Sequence, residues 1–245
     1  MKQQVKKILK KLLGKVFQQP FLEYPEQKRS FSQCGEDLIV QFIFNQLGIT
    51  KPTYLDIGAH HPYYISNTAL FYLNGSRGIN IEPDPILFNE FFTKRKEDIN
   101  LNVGVGEIEG EADFYIIDSP TLNTFSKEQA EGYSKEGNYN IVKVEKISLL
   151  TLEQIINQYA NNIFPDFLSL DAEGIDEIIT AQIALLRTKP IVICVETISF
   201  STTGNGIKNV ELQKFLEGLG YMLYADTYIN SIFVLEDRFK RKEAS

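Results

Sequence analysis

At 245 residues with 43% hydrophobic content, the chain can bury one full-sized core, and no stretch suggests a second. Its net charge is −7, yet residues 1–20 hold six lysines and no acid. Removing those six charges leaves −13 for the remainder, an acidic body that argues against nucleic acid as substrate. The two cysteines, Cys34 in a polar turn and Cys194 in the apolar run Ile191–Val195, lack metal-ligand or Cys-x-x-Cys spacing and read as free thiols of a reducing, cytoplasmic compartment.

The first predicted element is a basic amphipathic helix over residues 1–20. Val5, Ile8, Leu9, Leu12, Leu13, Val16 and Phe17 fall on one helical face, with most of the lysines opposite. Lysines interrupt every apolar run, so neither a signal peptide nor a membrane span is expected. Two readings remain: a helix lying peripherally on an anionic membrane surface at the cytoplasmic side, or one packed on the domain or in a dimer.

A helix is then predicted from Glu36 to Leu47, closed by Gly48, followed by strand one at Thr53–Ile57 and a helix from Asn67 to Leu73 that stops at Asn74-Gly75. Strand two covers Gly78–Glu82, and Asp84 caps a helix with Pro85 at its first position, continuing to Lys94. Ile99–Val105 reads as strand three. Beyond the turn at residues 106–110, Glu111–Ile117 and Ile141–Ile147 read as added strands, and the stretch Asp118–Asn140 between them as irregular. Insertions of that length are usually lids or binding loops, and Ser119, Asn123, Thr124, Ser126, Tyr133, Asn138 and Tyr139 suit hydrogen bonding and stacking on a sugar. Thr151 caps a helix through Tyr159, leading to strand four at Asp166–Asp171, a helix at Ile175–Leu185 and strand five at Ile191–Glu196. A helix at Val210–Leu216 precedes two consecutive strands, Tyr221–Ala225 and Ser231–Leu235, which read as an antiparallel closing hairpin. The alternation makes an α/β fold with a mostly parallel sheet.

Strands one and two each end near a carboxylate, Asp56 and Glu82, which places two acids at the carboxyl edge of the sheet where nucleotide-type ligands bind. The dinucleotide fingerprint is missing. Of its three glycines only Gly58 remains, and Tyr63 stands at the third position, so a cofactor without phosphate fits better than a pyrophosphate. S-adenosylmethionine (SAM) has none. Its ribose needs a carboxylate acceptor, and its amino-acid end needs a turn with free backbone groups.

The segments Phe31-Ser32-Gln33-Cys34-Gly35-Glu36-Asp37, Asp56-Ile57-Gly58-Ala59-His60-His61-Pro62, Ser66-Asn67-Thr68, Arg77 through Pro83, and Leu170-Asp171-Ala172-Glu173-Gly174 occur in that order, and with them the chain resembles the FkbM-type methyltransferases over roughly residues 30–200. The resemblance implies a SAM-dependent enzyme with a class I methyltransferase (Rossmann-like) fold, seven strands in the order 3-2-1-4-5-7-6, and O-methylation of a sugar in a cell-surface glycan or of a natural product. The organisation expected from it is a methyltransferase domain over 30–236, preceded by the basic helix of 1–20 and followed by a charged tail at 237–245. A catalytically inactive SAM- or nucleotide-binding module of the same fold is the alternative function. An NAD-dependent oxidoreductase is disfavoured by the missing glycines.

On this reading Glu82 accepts from the ribose hydroxyls, with Pro83 beside it. Asp56 and Gly58 shape the turn, Ser66, Asn67 and Thr68 open a helix whose free N–H groups can hold the methionine carboxylate, and Asn102 and Val103 lie near the adenine. Asp171 and Glu173 follow strand four and, with Glu196 at the end of strand five, form either a base with its orienting partners or an oxygen-ligand site for a divalent cation. The only two histidines, His60 and His61, share the loop after strand one. The base that takes the acceptor's hydroxyl proton is one of His60, His61, Asp171 or Glu173.

Overall fold

A computed structural model describes residues 28–172, 176–199 and 206–239. Seven strands form the main sheet: β1 (Tyr54–Ile57), β2 (Gly78–Ile81), β3 (Ile99–Leu101), β7 (Phe167–Leu170), β8 (Val192–Glu196), β9 (Tyr221–Asp226) and β10 (Asn230–Leu235). Their order is β3-β2-β1-β7-β8-β10-β9, parallel except for β10, which runs antiparallel to both neighbours. This is the class I methyltransferase order, with the closing hairpin expected from the sequence. β4 (Gly104–Val105), β5 (Gly110–Ile117) and β6 (Ile141–Leu150) build a separate three-stranded sheet in the order β4-β6-β5.

The central strands read as unbroken apolar runs because both of their faces are covered. Leu55, Ile57, Leu168, Leu170, Ile193, Val195 and Phe233 pack on one side with residues of α5 (Leu152–Tyr159), α6 (Asp176–Ile183) and α7 (Val210–Gly218). Tyr54, Phe167, Val192, Cys194, Ile232 and Val234 face the other side, against α1 (Glu36–Leu47) and α2 (Ala69–Leu73). Helix ends follow local chemistry. Asp84 accepts from the Ile86 N–H to start α3 (Pro85–Lys94), Thr151 and Gln154 close a reciprocal capping box on α5, and Gly48 ends α1 at φ 73°. Both cysteines are free, Cys34 exposed and Cys194 buried.

Three expectations change. The strand predicted over Ile99–Val105 is two strands in two sheets, because Asn102 turns its side chain back to donate to the carbonyls of Glu82 and Pro83 and the chain leaves the main sheet there. The stretch Asp118–Asn140 is largely ordered: a 3-10 turn at Pro120–Leu122 leads to α4 (Lys127–Glu136), with Ser126 accepting from the Gln129 N–H and Ala130 and Tyr133 packed on Ile117 and Leu122. The helix expected to begin at Asn67 starts at Ala69, since Thr68 and its neighbours are bonded into the sheet edge.

The Phe31–Asp37 motif is a bracket. Glu36 accepts from the Cys34 N–H, the Thr227 hydroxyl and the Asn230 amide, and Asp37 from Ser30, Ser32 and the Phe31 N–H, which ties the entry segment to the β9–β10 hairpin. The basic segment of residues 1–20 lies outside the described residues. At the other end, α8 (Glu236–Phe239) occupies the start of the expected charged tail. Among the described residues no helix is long and apolar enough to cross a membrane.

Candidate active site

The carboxyl ends of β1, β2 and β7 meet at a crevice of about 720 Å³, counting its solvent-open part. Gly58, at φ 75°, makes this convergence feasible: a Cβ there would lie 1.8 Å from the Asp171 carbonyl oxygen. The Gly58 and Ala59 N–H groups both donate to the Ile81 carbonyl at 3.0 Å, and the Asp171 N–H donates to the Ile57 carbonyl at 3.0 Å, so the three strand ends are fixed to one another.

Glu82 sits on one wall, 5% exposed. Its two carboxyl oxygens accept from the His60 N–H at 2.7 Å and the Asp84 N–H at 2.8 Å, which aims the group and leaves lone pairs for a ligand's hydroxyls. Burial is the main cause that pushes its pKa up to about 8, with the negative charges of Asp84 and Asp56 adding and the two backbone donors opposing. Asp171 also lines the crevice and is exposed to solvent. Enclosure raises its pKa to about 6, a hydrogen bond with Glu196 works against the rise, and Asp56 adds to it. Asp176, which accepts from the Ala172 N–H at 3.0 Å, is raised to about 7, first by burial and then by Asp171.

The crevice brings together Gly58, His60, Glu82, Pro83 and Asp171 of the residues expected from the sequence. Asp56 lies behind it, 4% exposed, accepting from the Thr68 hydroxyl at 2.5 Å. Ser66 caps the Ala69 N–H, and Asn67 donates to Ser169, so the side chains of the Ser66-Asn67-Thr68 run brace the sheet edge and do not line the crevice. Neither Asn102 nor Val103 lines it; the next two residues, Gly104 and Val105, do. His61 turns outward: its Nδ1 accepts from the Tyr63 and Tyr64 N–H groups and its ring faces Glu90. Glu173 lies outside the described residues.

Sequence reasoning missed most of the apolar lining. Ile65, Leu87, Phe114 and Phe125 come from a loop, a helix, a strand and the inserted segment, and none shares a motif with the others. A hint was there in Asn123 and Thr124, singled out as part of a binding loop. Among the described residues that line the crevice there is no lysine or arginine, a chemistry that suits a cationic, phosphate-free cofactor and not a pyrophosphate.

A sequence profile described as "Methyltransferase FkbM domain" matches residues 56–223. The chain belongs to this family. It is accordingly a SAM-dependent methyltransferase. No curated protein matches it. Solved structures similar to it include the 1,6-didemethyltoxoflavin-N1-methyltransferase of Burkholderia thailandensis with bound 1,6-didemethyltoxoflavin and S-adenosylhomocysteine, at 10% identity and TM-score 0.40 over 82% of this chain and 75% of that one. Another is the precorrin-6y C5,15-methyltransferase of Geobacter metallireducens GS-15, at 14% identity and TM-score 0.40 over 86% and 93%. Likeness at that level carries no argument, so the fold rests on the strand order and the family on the profile.

In this FkbM-family crevice Glu82 and Gly58 both line the wall at the ends of β1 and β2. The His60 pKa is lowered by burial and then by its neighbour His61, with Asp84 opposing. Among the described residues no cluster of three His, Cys, Asp or Glu side chains is placed to hold a metal ion, which leaves the divalent-cation alternative without support.

Proposed function

We propose that this methyltransferase methylates a hydroxyl oxygen of a sugar, in a cell-surface glycan or a natural product. The reading rests on one observation above others: a carboxyl group, Asp171, opens into the crevice with a pKa raised to about 6 and Glu196 behind it. Such a group is still mostly ionised at neutral pH and is more basic than an ordinary aspartate, as a proton acceptor for a hydroxyl should be. When bound, SAM supplies a methyl carbon on a positively charged sulfur. Asp171 would take the hydroxyl proton as the acceptor oxygen bonds to that carbon and the carbon–sulfur bond breaks, its electron pair leaving with the sulfur as neutral S-adenosylhomocysteine, and Glu196 would orient Asp171 through its hydrogen bond. Glu82 fixes the ribose, while Pro83, Leu87 and Phe125 keep water from that half of the crevice. Alignment of the two reactants contributes about 7–11 kcal/mol where geometry is good.

The basic segment of residues 1–20 supports a second element of the proposal, attachment to anionic lipid at the cytoplasmic face, where lipid-linked glycan intermediates would be met. Sedimentation with anionic vesicles, comparing the full chain with one starting near Gln18, tests it; equal sedimentation of both would remove it.

The reaction is tested with methyl-labelled SAM and glycan fractions. Acid hydrolysis should release a labelled monosaccharide with the wild type and not with Asp171→Asn. Label on an amine or a carboxylate of the acceptor would contradict the O-methylation reading.

A further inference from the structure

We infer that Asn123 is a positioning residue for the cofactor, clasping the inserted three-stranded sheet to the ribose-binding edge of the main sheet. This deepens the SAM reading and rests on it. The Asn123 side chain uses both ends of its amide. Its oxygen accepts from the Ile117 N–H at 2.8 Å, which secures it to the end of β5, and its nitrogen donates to Asp84 Oδ2 at 2.9 Å. Asp84 is 3% exposed and already committed elsewhere: Oδ1 caps α3 at the Ile86 N–H, and its own N–H donates to Glu82. Glu82 in turn accepts from His60. A continuous chain of hydrogen bonds therefore runs from the insert, through Asn123 and Asp84, to the carboxyl that faces the ribose and on to the loop after β1.

The position of the clasp gives it consequences. Thr121, Thr124 and Phe125, the near neighbours of Asn123, form the crevice wall facing Pro83 and Leu87. Thr124 is 1% exposed, and its hydroxyl donates to Gln129 and accepts from the Ser126 N–H, so the segment is braced on the α4 side as well. The insert also lines the crevice through Gly104, Val105 and Phe114. Asn102 ties the start of the insert to the Glu82 and Pro83 carbonyls, but without the bond to Asp84 the Thr121–Phe125 wall loses its direct hydrogen bond to that edge, and an adenosine held between the two walls meets a looser slot. A wall 1 Å too far loses alignment although every contacting residue is still present.

Titration calorimetry of the full chain with S-adenosylhomocysteine tests this, with Asn123→Ala, Asn123→Asp and the exchanged pair Asp84→Asn with Asn123→Asp. The single variants should bind about tenfold more weakly, the scale of one lost charge-assisted hydrogen bond, and Asn123→Asp should recover as the pH is lowered and one of the facing carboxylates is protonated. The exchanged pair should restore binding, because asparagine caps a helix as well as aspartate and the donor and acceptor have only changed sides. Single variants that bind as wild type would overturn the clasp, as would an exchanged pair that is folded but no tighter than Asn123→Asp alone. Failure of the wild type itself to bind would instead sink the SAM reading.

Discussion

Two regions beside the crevice partner their acids differently. Beneath the β1–β2 side, Asp98 accepts from the Tyr54 hydroxyl, the Gly78 N–H at 2.9 Å, the Asn80 amide at 3.0 Å and Arg95 Nε at 2.9 Å. Arg95 is fully buried, donates also to the Thr68 hydroxyl, and packs over the rings of Tyr54, Tyr72 and Phe91; Thr68 passes the contact on to Asp56. On the β7–β8 side Asp171 is hydrogen-bonded with Glu196 and lies near Asp176, and the two aspartates have pKa values raised chiefly by burial. The cation-centred network fixes geometry, whereas acids with raised pKa values, Asp171 and Asp176 here and Glu82 across the crevice, have surplus proton affinity. On the function proposed above, Glu82 on the first side holds the cofactor and Asp171 on the second takes the proton.

The comparison breaks most violently at Arg95. Arg95→Met leaves Asp98 as an uncompensated buried charge and should cost about 3–5 kcal/mol of stability, read from the denaturant midpoint. Adding Asp98→Asn should recover part of the loss. A midpoint unchanged by Arg95→Met would mean that the network is not what stiffens this side.

Asp171→Asn is the opposite case. It should leave the denaturation midpoint and S-adenosylhomocysteine affinity near wild type while lowering turnover by about 10²–10⁴, the range for loss of a general base. Equal losses in stability and turnover would place Asp171 with the holding residues. His60→Gln sharpens the same point, since a comparable loss of turnover there would transfer the role of base to the histidine.

A smaller effect follows from pH. Glu82 and Asp176 have folded pKa values of about 8 and about 7 against ordinary values of 4.5 and 3.8, so the fold favours their neutral forms. Stability from this source is complete below the ordinary carboxylate range and is lost as pH rises through 7 and 8. The unliganded protein should therefore melt at progressively lower temperature across that interval, and Glu82→Gln should flatten the decline. Parallel curves for the two proteins would contradict the assignment to Glu82.

The main sheet was legible in the sequence because its strands are short apolar runs with acids at their ends and cap residues between. Of the residues expected at the site, Gly58, Glu82 and Asp171 line the crevice, where chemistry and position at the strand ends coincide. Ser66, Asn67 and Thr68 carry the composition of a binding turn, but Ser66 caps the nearby Ala69 N–H while Asn67 and Thr68 bond to Ser169 and Asp56, distant partners that spacing does not reveal. The helix α4 was hidden because its sequence, Lys127 to Glu136, is polar except for Ala130 and Tyr133, the two residues that bury its face. The crevice lining of Phe114 and Phe125 depends on the fold of the insert, which no periodicity announced.

The central claim is that this crevice binds SAM through Glu82, and titration of the wild type and Glu82→Ala with SAM tests it most directly. The account predicts binding by the wild type and a loss of about 1.5–3 kcal/mol in Glu82→Ala, with the folded state retained. Unchanged affinity in a folded Glu82→Ala protein would contradict it.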